Sequence, residues 1–481
     1  MRINHVAALL GVLLHIFGAI LLLPLGISLF NHDHQYLSFV VPAAASVLAG
    51  FLLRIRRPEQ ILIEKREAVV TIVFGWLSVS FFGALPLYLS GYFSGPLDAF
   101  FESVSGFTTT GASVLTDIEA LPTSILLWRS MTHWIGGMGI IILALVILPT
   151  INVSSRNLYT FESSAIAQEQ ITPKIKDTAR LLWIVYFTLT AVETILLLIS
   201  GLSFFDASLT AMATIPTGGF SPRNASIAAY KSPYVETIVI IFMILSGVNY
   251  SLYLTFFKTS KSWLQFREVV GFYLSLIAVA SLIVILDLRI HTYSSWHEAA
   301  RYGIFQVVSI STTTGFITAN YQKWRPLCQV VLLLLMFIGA CPGSTTGAIK
   351  NSRIIILFKS IYRELIQIIH PRVINPVRIN NKVLDDKTIK TVLAFIGTYL
   401  SFFFIATLLM TAAGTDIITS IYSVATTLGG VGPGLGITGP VESYAMLPIC
   451  NKWILIACML FGRLEFYSLF LIFIPKFWHR A

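Results

Sequence analysis

Four short segments of this chain combine threonine hydroxyls with glycine: Thr108-Thr109-Thr110-Gly111, Thr217-Gly218-Gly219-Phe220, Thr312-Thr313-Thr314-Gly315 and Thr426-Thr427-Leu428-Gly429-Gly430. No acidic residue lies within them. They offer oxygen without net charge, from hydroxyls and from carbonyls that glycine lets the backbone aim at angles a β-carbon resists. Stacked carbonyls of this kind replace the water shell of a monovalent cation, potassium or sodium, without a fixed negative charge, so divalent selection is the poorer reading. Threonine adds a stiff first torsion suited to a narrow, extended lining. The glycines 111, 218, 315 and 429 lie 107, 97 and 114 residues apart, too far for a solenoid and suited to one helix–loop–helix membrane unit. The candidate ion-binding set is therefore Thr110, Gly111, Thr217, Gly218, Thr314, Gly315, Leu428 and Gly429.

Ahead of each turn stands a short helix-compatible run that opens near a polar residue: Asp98, Asp206, Glu298 or Asp416. Roughly a dozen residues is too short to cross a bilayer and suits a re-entrant half-helix. An acid in the first turn caps free amides and complements the positive end of the dipole; the negative end then points at the membrane interior and favours a cation there. Asp98 to Gly111 and Asp416 to Gly429 are both 13 residues, which favours Gly429 over the competing Gly432 in the fourth turn. One such turn alone would be read as a Gly/Thr linker. Four in register, each behind a half-helix, are read as the lining of one pore.

The background they interrupt is apolar. With 56% hydrophobic and 12% charged residues in 481 positions, the chain cannot hide its apolar surface in one soluble core. Ten stretches read as crossings: 6–30, 37–53, 68–92, 124–149, 181–201, 234–257, 268–287, 327–360, 389–413 and 450–475. The net charge of +10 sits in clusters around Arg54–Arg66, Arg156–Arg180, Lys258–Arg267, Lys350–Lys390 and Lys476–Arg480, after every second span. That placement fits membrane orientation better than nucleic acid and puts both termini on the cytoplasmic side. The first apolar run lacks a small-residue cleavage pattern at Leu23-Pro24-Leu25 and reads as a retained helix. Cys328, Cys341, Cys450 and Cys458 fall in apolar segments without CxxC spacing, so disulfide and zinc readings are poor. The expected organisation is all-α and polytopic: a two-helix hairpin (1–66), then four helix–pore-loop–helix repeats (67–152, 153–262, 263–380, 381–481) around one pore.

Two further features concern control. The inner helix of the third repeat would run from Leu327 to about Ile369, but Gly339-Ala340-Cys341-Pro342-Gly343-Ser344-Thr345-Thr346-Gly347 cuts it. Non-helical backbone at that depth belongs where protein or a water-filled cavity satisfies it, so Gly343, Ser344, Thr345, Thr346 and Gly347 are expected to form a gate below the turns. A proline–glycine kink is the competing reading; a phosphate loop is not, because no strand precedes and Ser/Thr does not follow the lysine. Arg463 lies about a dozen residues into the last span, too deep to snorkel, and is expected to hold carbonyls of the 343–347 loop and raise a barrier to cations. Pairing with Glu465 is disfavoured, since residues two apart diverge on a helix. Asn249 reads as a packing residue, and the outer acids Asp98, Glu102, Asp117, Glu119, Asp206, Glu298 and Asp416 read mainly as caps or loop residues.

No Ser/His/Asp or HExxH grouping appears, so an enzyme is not expected. The repeat order, the loops TTTGAS, PTGGFSPRN, STTTGFIT and GGVGPGLG, and the segments WIGGMGIIILALVILP, CPGSTTGAIK and GRLEFYSLFLI together resemble the Trk/Ktr/HKT superfamily of potassium transporters. The two extra N-terminal spans make the chain most similar to the bacterial TrkH/TrkG branch, over essentially its whole length. The resemblance implies a fold like four fused potassium-channel subunits, a homodimer in the bacterial inner membrane, and cytosolic TrkA-type nucleotide-binding subunits that control opening. It implies potassium as the bound substrate and no organic cofactor on this chain. In plant relatives a serine at the first filter glycine accompanies sodium transport, so Gly111 favours potassium. The fourth loop departs from the pattern, Gly429-Gly430 standing where many bacterial relatives carry Asn-Asn. No GxGxxG follows a strand, and the longest cytoplasmic stretch, about 361–388, is too short for a nucleotide domain, so control is expected from a separate chain. A proton- or sodium-coupled secondary transporter and a sodium-selective member of the same fold are the alternatives.

Overall fold

A computed structural model describes residues 2–56, 64–139, 175–253, 267–380, 382–464 and 466–478. Arg57, Arg156, Lys174, Lys258, Lys261, Glu465 and Arg480 lie outside the described residues. The chain opens with an apolar helix over Ile3–Asn31, against which Tyr36–Arg54 folds back. Their contact is backbone-close: a β-carbon on Gly50 would lie 2.7 Å from the Gly11 carbonyl oxygen.

Four repeats of long outer helix, short pore helix and inner helix follow. The outer helices are Lys65–Leu89, Ile175–Ile199, Arg267–His291 and Asp386–Ala412. The pore helices are Pro96–Phe107, Phe204–Thr214, Trp296–Ser311 and Ile417–Gly429, as the half-helix reading expects. Apolar side chains such as Leu48, Phe51, Phe187, Leu282, Phe404 and Leu408 face outward, while Ser103, Thr210, Thr314 and Thr426 are buried. This partition, apolar outside and hydroxyl-rich inside, places lipid around the molecule and a polar axis within it. The protein is a multi-pass membrane protein.

The inner helices depart from the ten continuous spans. Among the described residues, six helices are long and apolar enough to cross: the first hairpin's two and the four outer ones. The inner helices of the first three repeats are Thr123–Gly137, Pro233–Ser246 and Pro326–Phe337, of 15, 14 and 12 residues, at most about 22 Å against about 30 Å of hydrocarbon. Only the third break is expected from the sequence. The first inner helix ends at Gly137, with Gly139 at φ +70°, and the second ends at Ser246 before Gly247. Three of the freed carbonyls have distant donors. The Gly247 carbonyl accepts from Cys341 N–H at 3.0 Å, and those of Gly136 and Gly137 accept from Arg463 at 2.7 and 3.1 Å. The third helix breaks through a two-residue parallel strand pair, Ile338–Gly339 with Ile349–Lys350, and resumes as Asn351–Ile369. The fourth inner helix covers Ile449–Leu464.

Candidate ion pathway

All four pore helices end in the same way. Residues Thr109, Thr217, Thr313 and Gly430 are left-handed, with φ of +55°, +56°, +55° and +70°. The next amide, on Thr110, Gly218, Thr314 or Val431, bonds the carbonyl five residues back at 2.9, 2.9, 2.8 and 2.7 Å. This is the six-to-one bond of a Schellman cap, and it fixes the register without reference to the sequence. Gly111, Gly219, Gly315 and Gly432 then follow, with φ of +82°, +83°, +79° and +95°. Three of the left-handed residues are β-branched, a strained choice. Hydroxyl pairs flank two of them, Thr108 with Thr110 at 2.8 Å and Thr312 with Thr314 at 2.9 Å.

The register set by these caps differs from the expected one in two turns. In the second turn the glycine equivalent to Gly111 is Gly219, and Gly218 stands in the place of Thr110. In the fourth turn Leu428 and Gly429 are the last residues of the pore helix, and Val431-Gly432 make up the extended segment. The cause is capping. Asp98 is the third residue of its helix, whereas Asp416 is an N-cap that accepts from Thr419 N–H at 2.9 Å. Aligning the two acids shifts the fourth turn by the three residues that separate Gly429 from Gly432.

In this register the turns close on one another. A β-carbon on Gly111 would collide with the Gly218 carbonyl oxygen, one on Gly219 with that of Thr314, and one on Gly315 with that of Val431. One on Gly432 would lie 2.7 Å from the Thr110 oxygen, which returns to the first turn. The same four glycines line a cavity of about 280 Å³ on the side of the loops that lead to the inner helices.

On the opposite side of the turns lies the 340–348 loop. Thr345 Oγ1 donates to the Ile215 carbonyl at 3.0 Å, and Gly347 N–H donates to Thr313 Oγ1 at 2.9 Å. A β-carbon on Gly347 would collide with the Gly429 carbonyl oxygen. Ser344 and Thr346 pair at 2.8 Å, and Lys350 Nζ donates to the Thr346 carbonyl. Gly343, at φ +78°, accepts from Tyr250 N–H at 3.1 Å. Arg463 Nη1 donates to the Thr345 carbonyl at 3.0 Å. The structure thus brings Gly343 to Gly347 together with the second, third and fourth turns, and Arg463 ties the loop to the first inner helix.

The profile of the TrkH family, described as a cation transport protein, matches residues 38–480. The chain belongs to the TrkH family. It is 35% identical to the Trk system potassium uptake protein TrkH of Escherichia coli K12, over 99% of this chain and 100% of that protein. It is 30% identical to the Trk system potassium uptake protein TrkG of the same strain, over 99% of each. The crystal structure of the potassium transporter TrkH from Vibrio parahaemolyticus matches it with a TM-score of 0.87, at 32% identity, over 100% of each chain.

Around the turns of this TrkH-family chain, ion pairs join elements distant in sequence. Arg129 Nη2 meets Glu102 at 2.7 Å with both side chains buried, and Glu102 also accepts from Val114 N–H at 3.0 Å just past the first turn. Arg301 grips both oxygens of Glu236 at 2.7 Å, from the third pore helix to the second inner helix. Lys452 reaches Asp98 at 2.6 Å and joins the fourth repeat to the first. Asp117 and Glu119 bond Asn224, and Asp206 bonds Arg223. These outer acids are held in ion pairs and hydrogen bonds, Glu102 in a buried pair and not as the cap or loop residue expected. Asn249 caps the stretch after the second break, accepting from Ser251 N–H at 2.8 Å.

Among the described residues, the buried polar groups that the sequence reading passes over include Glu193 and His133. Glu193, in the second outer helix, is fully buried, and neither carboxylate oxygen has a hydrogen-bond partner among the described residues. A lone acid within the apolar run 181–199 is a visible signal. His133, fully buried beside the first turn, gives no such signal.

Proposed function

We propose that this chain carries potassium into the cell through one pore, selecting it at Thr110-Gly111, Gly218-Gly219, Thr314-Gly315 and Val431-Gly432. The observation that carries this reading is the closed ring of glycine-to-carbonyl contacts. Four uncharged oxygens at one level, backed by four helix C-termini, suit a monovalent cation shedding its water. The relatives' names, potassium uptake proteins, agree, and Gly111 fits potassium over sodium. The 343–347 loop is the gate, and Arg463 supplies a positive charge beside it. That charge raises the energy of a cation passing beside it.

The repeats occupy 67–152, 153–262, 263–380 and 381–481 behind the 1–66 hairpin. The chain sits in the inner membrane with both termini cytoplasmic, by the placement of its basic clusters. It pairs with a second copy and is controlled by TrkA-type nucleotide-binding subunits, by resemblance to its family. Potassium is its substrate, and no covalent chemistry or organic cofactor is called for.

Uptake into proteoliposomes, comparing potassium, rubidium and sodium with and without an imposed proton gradient, tests the reading. Potassium and rubidium should enter well ahead of sodium, whatever the proton gradient; equal entry of all three would remove it. A second reading, proton-coupled transport, is favoured by Glu193, a mid-span carboxyl whose oxygens have no hydrogen-bond partner among the described residues. It requires uptake to follow the proton gradient and that dependence to vanish in Glu193→Gln.

A further inference from the structure

The first inner helix carries a histidine where the other three inner helices, 233–246, 326–337 and 449–464, carry none. In the fourth repeat the corresponding residue is methionine. Gly136 and Gly462 make the same close approach, their β-carbon positions colliding with the carbonyl oxygens of Phe107 and Leu428, and His133 and Met459 each stand three residues earlier.

His133 is enclosed by the seam between the first two turns. Its Nδ1 lies 2.8 Å from the Gly106 carbonyl oxygen. A carbonyl only accepts, so Nδ1 carries the proton and donates. The same oxygen accepts from Thr109 N–H at 3.1 Å, the bond that sets the left-handed bend of the first turn. The imidazole also fills the space beside the second turn: a β-carbon on Gly218 would lie 2.5 Å from His133 Cγ. Phe220, which follows Gly219, packs tilted against the ring with centroids 4.0 Å apart, and Arg129 Cζ sits 4.2 Å from the centre of Phe220. One side chain thus bonds the base of the first turn and abuts the second, and the two turns are themselves in contact through Gly111 and the Gly218 carbonyl.

We infer that His133 is a positioning residue for ion selection, its Nδ1–H holding the Gly106 carbonyl so that the oxygens of Thr110 and Gly218 keep their separation. The inference rests on the filter reading above. It distinguishes two properties of the side chain, the donor and the ring. His133→Phe keeps a ring and removes the donor. His133→Asn removes the ring and places an amide nitrogen where His133 has Nδ1.

The experiment is potassium and sodium uptake into proteoliposomes by the full chain, with Gly111→Ser prepared alongside and the recovery of monodisperse protein recorded for each variant. His133→Phe should lower the potassium-to-sodium ratio about fivefold, the size expected from one lost buried donor, and His133→Asn should restore most of it. If His133→Phe is not recovered, His133→Met, which copies the fourth repeat, serves as the donor-free variant. A wild-type ratio in the donor-free variant while Gly111→Ser shifts overturns the role of His133 and leaves the filter reading standing. A fall in His133→Asn as large as in His133→Phe overturns it too, since packing alone then explains the effect. An unchanged ratio in Gly111→Ser withdraws the filter reading and this inference with it.

Discussion

The first and fourth turns reach the same backbone by different means. Thr109 holds φ +55° against the resistance of a β-branched side chain, while Gly430 holds +70° with no β-carbon at all. Around the first turn the hydroxyls of Thr108 and Thr110 pair at 2.8 Å, and Glu102, Arg129 and His133 close in from behind. Around the fourth, a β-carbon on Gly430 would meet nothing nearer than Gly347 Cα, at 3.9 Å. The first turn is held by its surroundings, the fourth by its own conformational freedom. Shape is therefore conserved across the ring where sequence is not, and a change at matching positions should have unequal consequences.

The largest effect should come where the two turns are alike. Gly111 and Gly432 both have φ beyond +80° and both face a neighbouring carbonyl. Gly432→Ser should therefore match Gly111→Ser in lowering the potassium-to-sodium ratio by about tenfold or more, since the carbonyl it faces must shift. Gly429 lies in the helix against the Met336 carbonyl. Gly429→Ala should instead lower thermal stability, with whatever protein survives keeping its ion preference. Uptake ratios and melting curves on the three variants decide whether the fourth register is correct.

Next in size are the changes that separate turn from gate. Thr313 and Thr109 occupy equivalent positions, but Thr313 Oγ1 accepts from Gly347 N–H of the loop. Thr313→Val removes that acceptor and should raise flux several-fold in the absence of any regulatory subunit, as one buried bond of ~1 kcal/mol implies. Thr109→Val should not. Arg463→Ala, which frees the Thr345, Gly136 and Gly137 carbonyls at once, should leak at least as much. Equal flux in the two threonine variants would detach the loop from gating.

A smaller effect isolates backbone freedom. Because space is open at Gly430, Gly430→Ala tests conformation without a clash. It should cost about 1 kcal/mol, the usual penalty of a left-handed non-glycine residue, and appear as a lowered melting midpoint with an unaltered ion ratio.

These comparisons also show what could be read from the residues alone. The four repeats were legible because apolar length and short polar-capped runs are local properties, and the cut in the third inner helix announces itself through Pro342 and its glycines. The register of the fourth turn was not, because an aspartate can cap from outside the helix, as Asp416 does, or sit in its first turn, as Asp98 does. The breaks after Gly137 and Ser246 were also hidden. Glycine in a membrane helix serves packing as often as interruption, and only the distant donors, Arg463 and Cys341, turn those glycines into ends. Arg463 was expected to reach the loop, and its second grip, on the first repeat, depends on a contact more than 300 residues away in sequence.

The smallest effect concerns how the N-terminal hairpin meets the first turn's own repeat. The inner helix Thr123–Gly137 begins after Pro122, which offers no side-chain cap. Asp33 supplies one from the hairpin, accepting from Ser124 N–H at 3.2 Å, from Gln35 N–H at 3.2 Å and from the Ser28 hydroxyl. Burial alone would raise the Asp33 pKa, but bonds to Ser124, Ser28 and Gln35 outweigh it and hold the carboxyl below its ordinary 3.8. A group with a lowered folded pKa stabilises the fold above its ordinary value, and that contribution is lost as pH falls through the lowered one. Asp33→Ala should cost up to about 1 kcal/mol, as for a lost N-cap. The gap in melting midpoint from the unaltered chain should hold steady from neutral pH down to the ordinary aspartate range and then close. A gap that instead widened with acid would mean that the carboxyl does not cap this helix as a charged group.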